Sequence, residues 1–363
     1  MLIGIDASRV LAPRLTGTER YARAVIEALV PLLSAHRVRL YFRDDPEGWR
    51  VCAPHVEQCW IRQPRLWTHW GLWRELRARP PQALFVPAHV LPFVPLPPMR
   101  RVVVVHDVGY RYFPRAHLLG QRLYLELGTW LSVRLADVVI ADSHATRADV
   151  LRFYRVPLDK VRVAHPGVPP LAAVNEATAD AVLSRYGLRP RSYVLHVGTL
   201  QPRKNLHRLV AAWARLSEAA ALELVLAGAQ GWGAVDRALC RAPRVRCLGY
   251  VSDVEKSALL RNALAVVIPS LHEGFGFPVL EAHAAGTPLA CSRRAALPEV
   301  AGDAALYFDP EDVEAMRAAL ARLVTDAALR AQLVAAGRAN LQRFSWQRCA
   351  AVIAEALLGG AAP

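Results

Sequence analysis

Leu271-His-Glu-Gly-Phe-Gly-Phe-Pro-Val-Leu-Glu-Ala-His-Ala-Ala-Gly-Thr287 is the stretch whose reading decides the fold. Just upstream, Ala263 to Pro269 is a short apolar run rich in Val and Ile, the pattern of a buried strand. Gly274 and Gly276 let the backbone bend and approach a ligand closely. Pro278 suits the first turn of a helix and Gly286 its C-terminal stop. A strand, a tight glycine loop and a helix start form an anion site, because the first N–H groups of a helix have no internal partner. Two carboxylates bracket that site: Glu273 in the loop and Glu281 at about the fourth helical position. A carboxylate accepts two hydrogen bonds at once and so suits vicinal hydroxyls. The stretch therefore fits a molecule with a phosphate centre and polyhydroxyl ends.

Working outward, Tyr193 to Val197 reads as a strand, and Gly198-Thr-Leu-Gln-Pro-Arg-Lys-Asn-Leu206 turns from it into a helix over Leu206 to Ser217. Arg203 and Lys204 stand at that helix's N-terminus, where a cation opposes the helix dipole and only an anionic partner makes it sensible. Arg can fork onto two phosphate oxygens and Lys supplies a compact charge, so the pair fits a diphosphate. Only three of the 45 basic residues are lysines, which gives the ammonium of Lys204 added weight. Further strands are expected over Leu222–Ala227, Val245–Leu248, Ala263–Ile268, Pro288–Cys291 and Ala305–Asp309, with helices between, a βαβ series. Two Ala/Leu-rich helices follow, about 311–325 and 327–343.

The first half has the same element order. Strands are expected over residues 2–6, Val38–Phe42, Leu84–Pro87, Val102–Val105, Val138–Ala141 and Val161–Ala164. Helices are expected from about Thr18 to Leu33, Gln121 to Leu135 and Ala145 to Tyr154, the last capped by Ser143. Gly17 precedes the first of these in a second strand–glycine–helix arrangement. The run Val102–Val105 delivers His106 and Asp107 at its C-terminal end, where ligands bind in doubly wound sheets. Residues 60–79 combine Trp67, Trp70 and Trp73 with Arg65, Arg74, Arg77 and Arg79, which fits either an interfacial amphipathic helix or a core helix with a solvated basic side. Residues 167–176, with Pro169 and Pro170, read as an interdomain linker.

Composition bounds the rest. A chain of 363 residues with 53% hydrophobic and 21% charged residues is globular, with room for two ordinary domains. The six cysteines include no Cys-x-x-Cys, so neither zinc nor a disulfide framework is expected and a reducing cytosol is the default. The opening Leu-Ile-Gly-Ile-Asp reads as a strand and not a signal peptide. The most apolar window, Ala83 to Pro98, is broken by five prolines, so any membrane role would be peripheral. Formal net charge is +14, of which +10 falls in residues 1–170, consistent with a polyanionic partner or an anionic surface. Nucleic-acid binding would need a recognised motif beside that charge, and none is present.

Two glutamates eight apart around Gly-Phe-Gly-Phe-Pro, together with Gly-Thr-Leu-x-Pro-Arg-Lys-Asn, resemble the hallmark of family-four retaining glycosyltransferases. The resemblance covers Gly17 through Trp346, with Pro166-Gly-Val where the family usually has Asn-Gly-Val. It implies an α/β fold of two facing Rossmann-like domains, the GT-B architecture. The acceptor domain would be 1–168 plus a returning helix over 346–360. The donor domain would be 169–345, with the nucleotide diphosphate-sugar held in the cleft between the two.

In that scheme Arg203 and Lys204 face the leaving diphosphate, aided by backbone N–H groups around Val279 and Leu280. Gly17 and Gly198 border the donor, as do Gly274, Phe275 and Gly276. Glu281 holds the ribose, Glu273 orients the transferred sugar, and His106 lies near sugar and acceptor. No cofactor or metal is implied. The Leu-Thr-Gly-Thr-Glu-Arg-Tyr and His-Asp-Val-Gly-Tyr features look most like bacterial mannosyl- and rhamnosyltransferases of surface polysaccharide assembly. GDP-mannose leads as donor, with dTDP-rhamnose or UDP-glucose behind it. The acceptor would be a glycan or polyprenyl-linked glycan, met by a cytoplasmic enzyme that is peripheral on the inner face of the membrane. An inactive scaffold relative is disfavoured by the intact Arg203, Lys204, Glu273 and Glu281.

Overall fold

Continuous Val/Ile/Leu runs bounded by turn residues become strands buried on both faces, and every strand pairing here is parallel. The computed structural model describes residues 1–11, 16–43, 49–63, 65–114, 119–219, 221–231 and 237–359. One sheet holds β1 (Leu2–Asp6), β2 (Arg37–Phe42), β3 (Val56–Trp60), β4 (Ala83–Val86), β5 (Arg100–Val105), β6 (Val138–Ala141) and β7 (Val161–Val163), in the order β3-β2-β1-β4-β5-β6-β7. The other holds β8 (Tyr193–Val197), β9 (Glu223–Ala227), β10 (Val245–Gly249), β11 (Ala265–Ile268), β12 (Leu289–Ser292) and β13 (Leu306–Phe308), in the order β10-β9-β8-β11-β12-β13. Both have Rossmann order. Their directions of build-out reverse between β1 and β4 and between β8 and β11, the switch points at whose C-terminal ends ligands bind.

The chain falls into two compact units. One comprises Met1–Val108, Leu119–Gly167 and the chain from Phe344 onward; the other comprises Val168–Arg343 with the segment from Gly109 to Leu118. In the first, the closing helix Trp346–Leu358 lies along the helix Gly17–Leu32. The Tyr21 ring meets Trp346 edge-on at 5.7 Å, and its hydroxyl lies 3.9 Å from Cys349 Sγ. Gly167 permits this return, since a Cβ there would lie 2.4 Å from the Trp346 backbone nitrogen. In the second unit, the fully buried Trp213 packs with Leu209, Leu216, Met316, Leu320 and Leu323 beneath the sheet.

Three expectations are corrected. First, residues 60–79 are not one helix: Trp60 ends β3, and a π-helical segment Trp67–Leu72 leads into the short helix Trp73–Ala78. Trp67 is buried and donates to Ile61 O, whereas Trp70 is exposed and stacks on Trp73 at 5.3 Å, so the aromatic stripe splits between core and surface. Second, Gly17 does not precede its helix but is its first residue, with Thr16 as cap. The Glu19 carboxylate accepts from Thr16 N at 3.0 Å and already occupies that helix start, a capping box. Third, Cys240 and Cys247 form a disulfide, because the turn between the 3-10 segment Arg237–Arg241 and β10 brings their Cα atoms to 5.5 Å. Seven-residue spacing alone does not reveal such a turn.

Candidate active site

The second unit's switch point carries a charged cluster. After β8 the chain makes the 3-10 turn Pro202–Lys204, and Asn205 takes a left-handed conformation (φ 58°) to start the helix Leu206–Ala214. The Asn205 amide donates to Pro269 O at 3.1 Å and Pro310 O at 2.7 Å, tying this turn to the end of β11. Beyond β11, Leu271 N donates to Arg203 O at 2.8 Å. The two loops are thus stitched together, and three side chains converge. Lys204 Nζ and Ser270 Oγ each donate to Glu273 Oε1 at 2.6 Å, and Arg203 Nη1 donates to Oε2 at 2.6 Å. Arg203 also reaches His272 O and Gln201 Oε1.

Glu273 is almost wholly buried. Burial alone would raise its pKa, but the Arg203 and Lys204 charges, with hydrogen bonds from Lys204 and Ser270, hold it well below the usual carboxylate range. Two cations against one carboxylate give these three side chains a formal charge of +1.

His196, on β8, joins the same cluster. Its Nδ1–H donates to Val267 O at 3.1 Å, and a Cβ on Gly198 would lie 3.5 Å from Lys204 Nζ and 3.8 Å from His196 Nε2. Burial and the neighbouring Lys204 push the imidazole down to about 4, so it is neutral and presents a lone pair at Nε2. In the sequence His196 reads as an interior strand residue.

The helix Phe277–Ala285 starts at Gly276, whose φ of 106° only glycine adopts readily. Its first turn is less open than expected: Pro278 has no N–H, and Val279 N donates to Gly276 O at 2.9 Å. Val279 and Leu280 side chains are fully buried, and Phe275 packs edge-on against Phe277. Glu281, the fifth residue of this helix, is buried and paired with Lys256 of the helix Asp253–Asn262. Lys256 escaped the sequence reading. Its signal was scarcity, since it is one of three lysines in an arginine-rich chain.

In the first unit, His106 is a satisfied residue. Its Nδ1 donates to Asp142 Oδ2 at 2.7 Å and its Nε2 to Pro87 O at 3.1 Å. Both partners offer oxygen acceptors, which favours a proton on each ring nitrogen. Burial would lower its pKa, but the Asp142 carboxylate raises it above the ordinary value. In this arrangement both ring nitrogens of His106 are engaged by partners within the first unit. His89, at the end of β4, accepts from His106 N at 3.4 Å and is driven down to about 4 by burial and the His106 charge. Its Nδ1 has no hydrogen-bond partner among the described residues.

Residues 15–170 match the family described as Glycosyltransferase Family 4, and residues 187–340 match Glycosyl transferases group 1. The O-antigen chain mannosyltransferase B of Escherichia coli is 33% identical over 264 residues, 69% of this chain and 68% of that protein. A serotype-specific mannosyltransferase of Escherichia coli is 28% identical over 273 residues, which span 70% of this chain but 32% of that larger protein.

Among solved structures, sucrose-phosphate synthase from Thermosynechococcus elongatus superposes with a TM-score of 0.74 at 20% identity, covering 98% of this chain and 97% of the other. An Anabaena protein (HepE) in complex with UDP-glucose gives 0.73 at 18% identity, covering 99% and 100%. The chain belongs to the family-four, group 1 glycosyltransferases, and its fold is GT-B.

Proposed function

We propose that this glycosyltransferase moves a mannosyl residue from GDP-mannose to a growing surface glycan, with retention of anomeric configuration. The observation that carries the assignment of a nucleoside diphosphate-sugar as donor is the Arg203–Lys204–Glu273 cluster at the β8/β11 switch point. Arg203 and Lys204 neutralise charge that develops on the leaving diphosphate, the preorganised electrostatic stabilisation that often contributes most to such reactions. Glu273 holds the two cations in place, and its own position is fixed by Ser270. Glu281 accepts from the ribose hydroxyls. Cations already stand where a divalent ion would otherwise be needed. The preference for mannose rests on the similarity to the two mannosyltransferases; dTDP-rhamnose and UDP-glucose are the competing donors.

The test is a side-by-side assay with GDP-mannose, dTDP-rhamnose and UDP-glucose on a mannose-terminated oligosaccharide, reading nucleotide release and the product's anomeric configuration by NMR. An α-linked mannoside formed from GDP-mannose supports the proposal. Transfer only from another donor replaces mannose, and an inverted product removes the retaining mechanism.

A membrane partner is favoured by a separate observation. The helix Leu119–Leu135 is amphipathic the wrong way round for a core helix. Gly128, Thr129, Ser132 and Val133 face inward, with Ser132 donating to Gly128 O and accepting from Leu91 N, while the larger Leu119, Leu123, Tyr124, Leu127 and Trp130 are exposed. Arg134 lies over the Trp130 ring at 4.9 Å. His69 hydrogen-bonds Tyr124 at 3.2 Å, tying the segment with exposed Leu66 and Trp70 to this stripe. An apolar band rimmed by arginines fits the interface of an anionic bilayer, where a lipid-carried acceptor would lie. Among the described residues no helix is long and apolar enough to cross a membrane.

A further inference from the structure

Two of the chain's three lysines meet the two glutamates of the Leu271–Thr287 stretch: Lys204 pairs with Glu273 and Lys256 with Glu281. The diphosphate accounts for the first pair. The second needs its own explanation, because Lys256 is the fourth residue of the helix Asp253–Asn262, where the helix dipole disfavours a cation. The helix does not need it for capping. Ser252 and Glu255 already form a reciprocal capping box, with Ser252 N donating to Glu255 Oε2 at 2.8 Å. The Lys256 side chain instead crosses to Glu281 Oε1, with Asp253 Oδ1 at 3.7 Å. Both members of the pair are mostly buried, 13% and 8% exposed at the side chain.

The helices that carry these two residues precede and follow β11, so the pair spans the strand that ends at the donor site. An ammonium has three donors and no acceptor. Contact at one oxygen therefore fixes the carboxylate's rotamer and leaves lone pairs of Glu281 for a ligand.

We propose that Lys256 is a positioning residue for nucleoside recognition: through Glu281, it holds the carboxylate in the orientation that receives the ribose diol. The proposal rests on the assignment of Glu281 to the ribose made above. A lysine that merely fills space or stabilises the helix pair would affect all nucleotides alike. One that aims a diol-binding carboxylate affects only nucleotides that own the diol.

The experiment is calorimetric titration of GDP and 2′-deoxy-GDP into wild type, Lys256→Met, Glu281→Gln and the double variant. UDP and 2′-deoxy-UDP are run in parallel, and the base that the wild type binds more tightly is scored. The wild type is expected to prefer the ribonucleotide by about tenfold, the scale of one hydrogen bond to a charged group. Glu281→Gln removes most of that preference. Lys256→Met removes most of it too, and the double variant is no worse than Glu281→Gln, because the two residues act as one unit. A Lys256→Met protein that keeps the wild-type ratio, or that weakens ribo- and deoxynucleotide equally and additively with Glu281→Gln, overturns the proposal. A wild type without ribose preference, with Glu281→Gln unchanged, marks a different failure: the ribose assignment itself falls, and the role of Lys256 falls with it.

Discussion

Glu273 is the residue on which the donor site's stability turns. Its folded pKa lies far below the ordinary glutamate value of 4.5, so the stabilisation it contributes is present above 4.5 and is lost as pH falls through its folded value. His196 and His283 act in the same direction earlier in the titration. Each is held near 4, first by burial, so each stabilises the second unit above 6.5 and loses that contribution as pH falls toward 4. Protection of β8 and β11 amides from hydrogen exchange, corrected for intrinsic pH effects, should therefore decline from pH 7 to pH 4. Flat protection over that range contradicts the assignment. Replacing Glu273 by Gln should cost roughly 3 kcal/mol at neutral pH, because it strands the buried Lys204 ammonium; chemical denaturation checks the magnitude. At this scale the sequence was half legible. Arg203, Lys204 and Glu273 could be named from residue type and spacing, but their mutual pairing could not, since about 70 residues separate the partners. The partners of His106 were hidden for the same reason, since Asp142 and Pro87 lie 36 and 19 residues away.

Among the elements, two glycines set the loops. A Cβ on Gly228, just past β9, would lie 1.9 Å from Gly198 O, so the backbone after β8 would have to move. Gly276 has φ 106°, and a Cβ there would meet Leu297 Cδ2 at 3.0 Å. Gly276→Ala should cost about 1–2 kcal/mol, the penalty for a side chain in the left-handed region, and Gly228→Ala should cost more, because backbone and not a side-chain tip is displaced. Urea unfolding of the two variants gives the ranking, and equal or negligible effects would show that the loops adjust freely. Elements themselves were legible wherever hydrophobic period spoke clearly: β6 and β8 were read to the residue, and most helix starts to within two. β3 was missed because Val56-Glu-Gln-Cys-Trp60 is a half-exposed edge strand without a β-branched run. The 60–79 stretch failed because a π-helical segment breaks the 3.6-residue period that a single helix would have kept.

Taken whole, the molecule carries most of its exposed large apolar side chains in the first unit. Anionic vesicles should sediment the wild type at low salt and release it as salt rises, since each basic side chain near such a surface is worth about 1 kcal/mol. Leu123→Glu with Leu127→Glu should abolish sedimentation even at low salt, whereas Arg74→Glu with Arg77→Glu should weaken it. Binding that persists in the leucine variant would remove the helix Leu119–Leu135 from the interface. The fold at this scale was legible because two series of strand–helix alternation imply two parallel sheets. Strand order was not readable from the residues alone.

The central claim is that Arg203 and Lys204 stabilise charge on a departing nucleoside diphosphate. It is tested most directly by the single-turnover rate of GDP release from GDP-mannose, in wild type and Lys204→Met, at a temperature where both are folded. The rate is predicted to fall by roughly 100-fold or more, the cost of one lost charge-stabilising donor. A variant that turns over within twofold of wild type would contradict the claim.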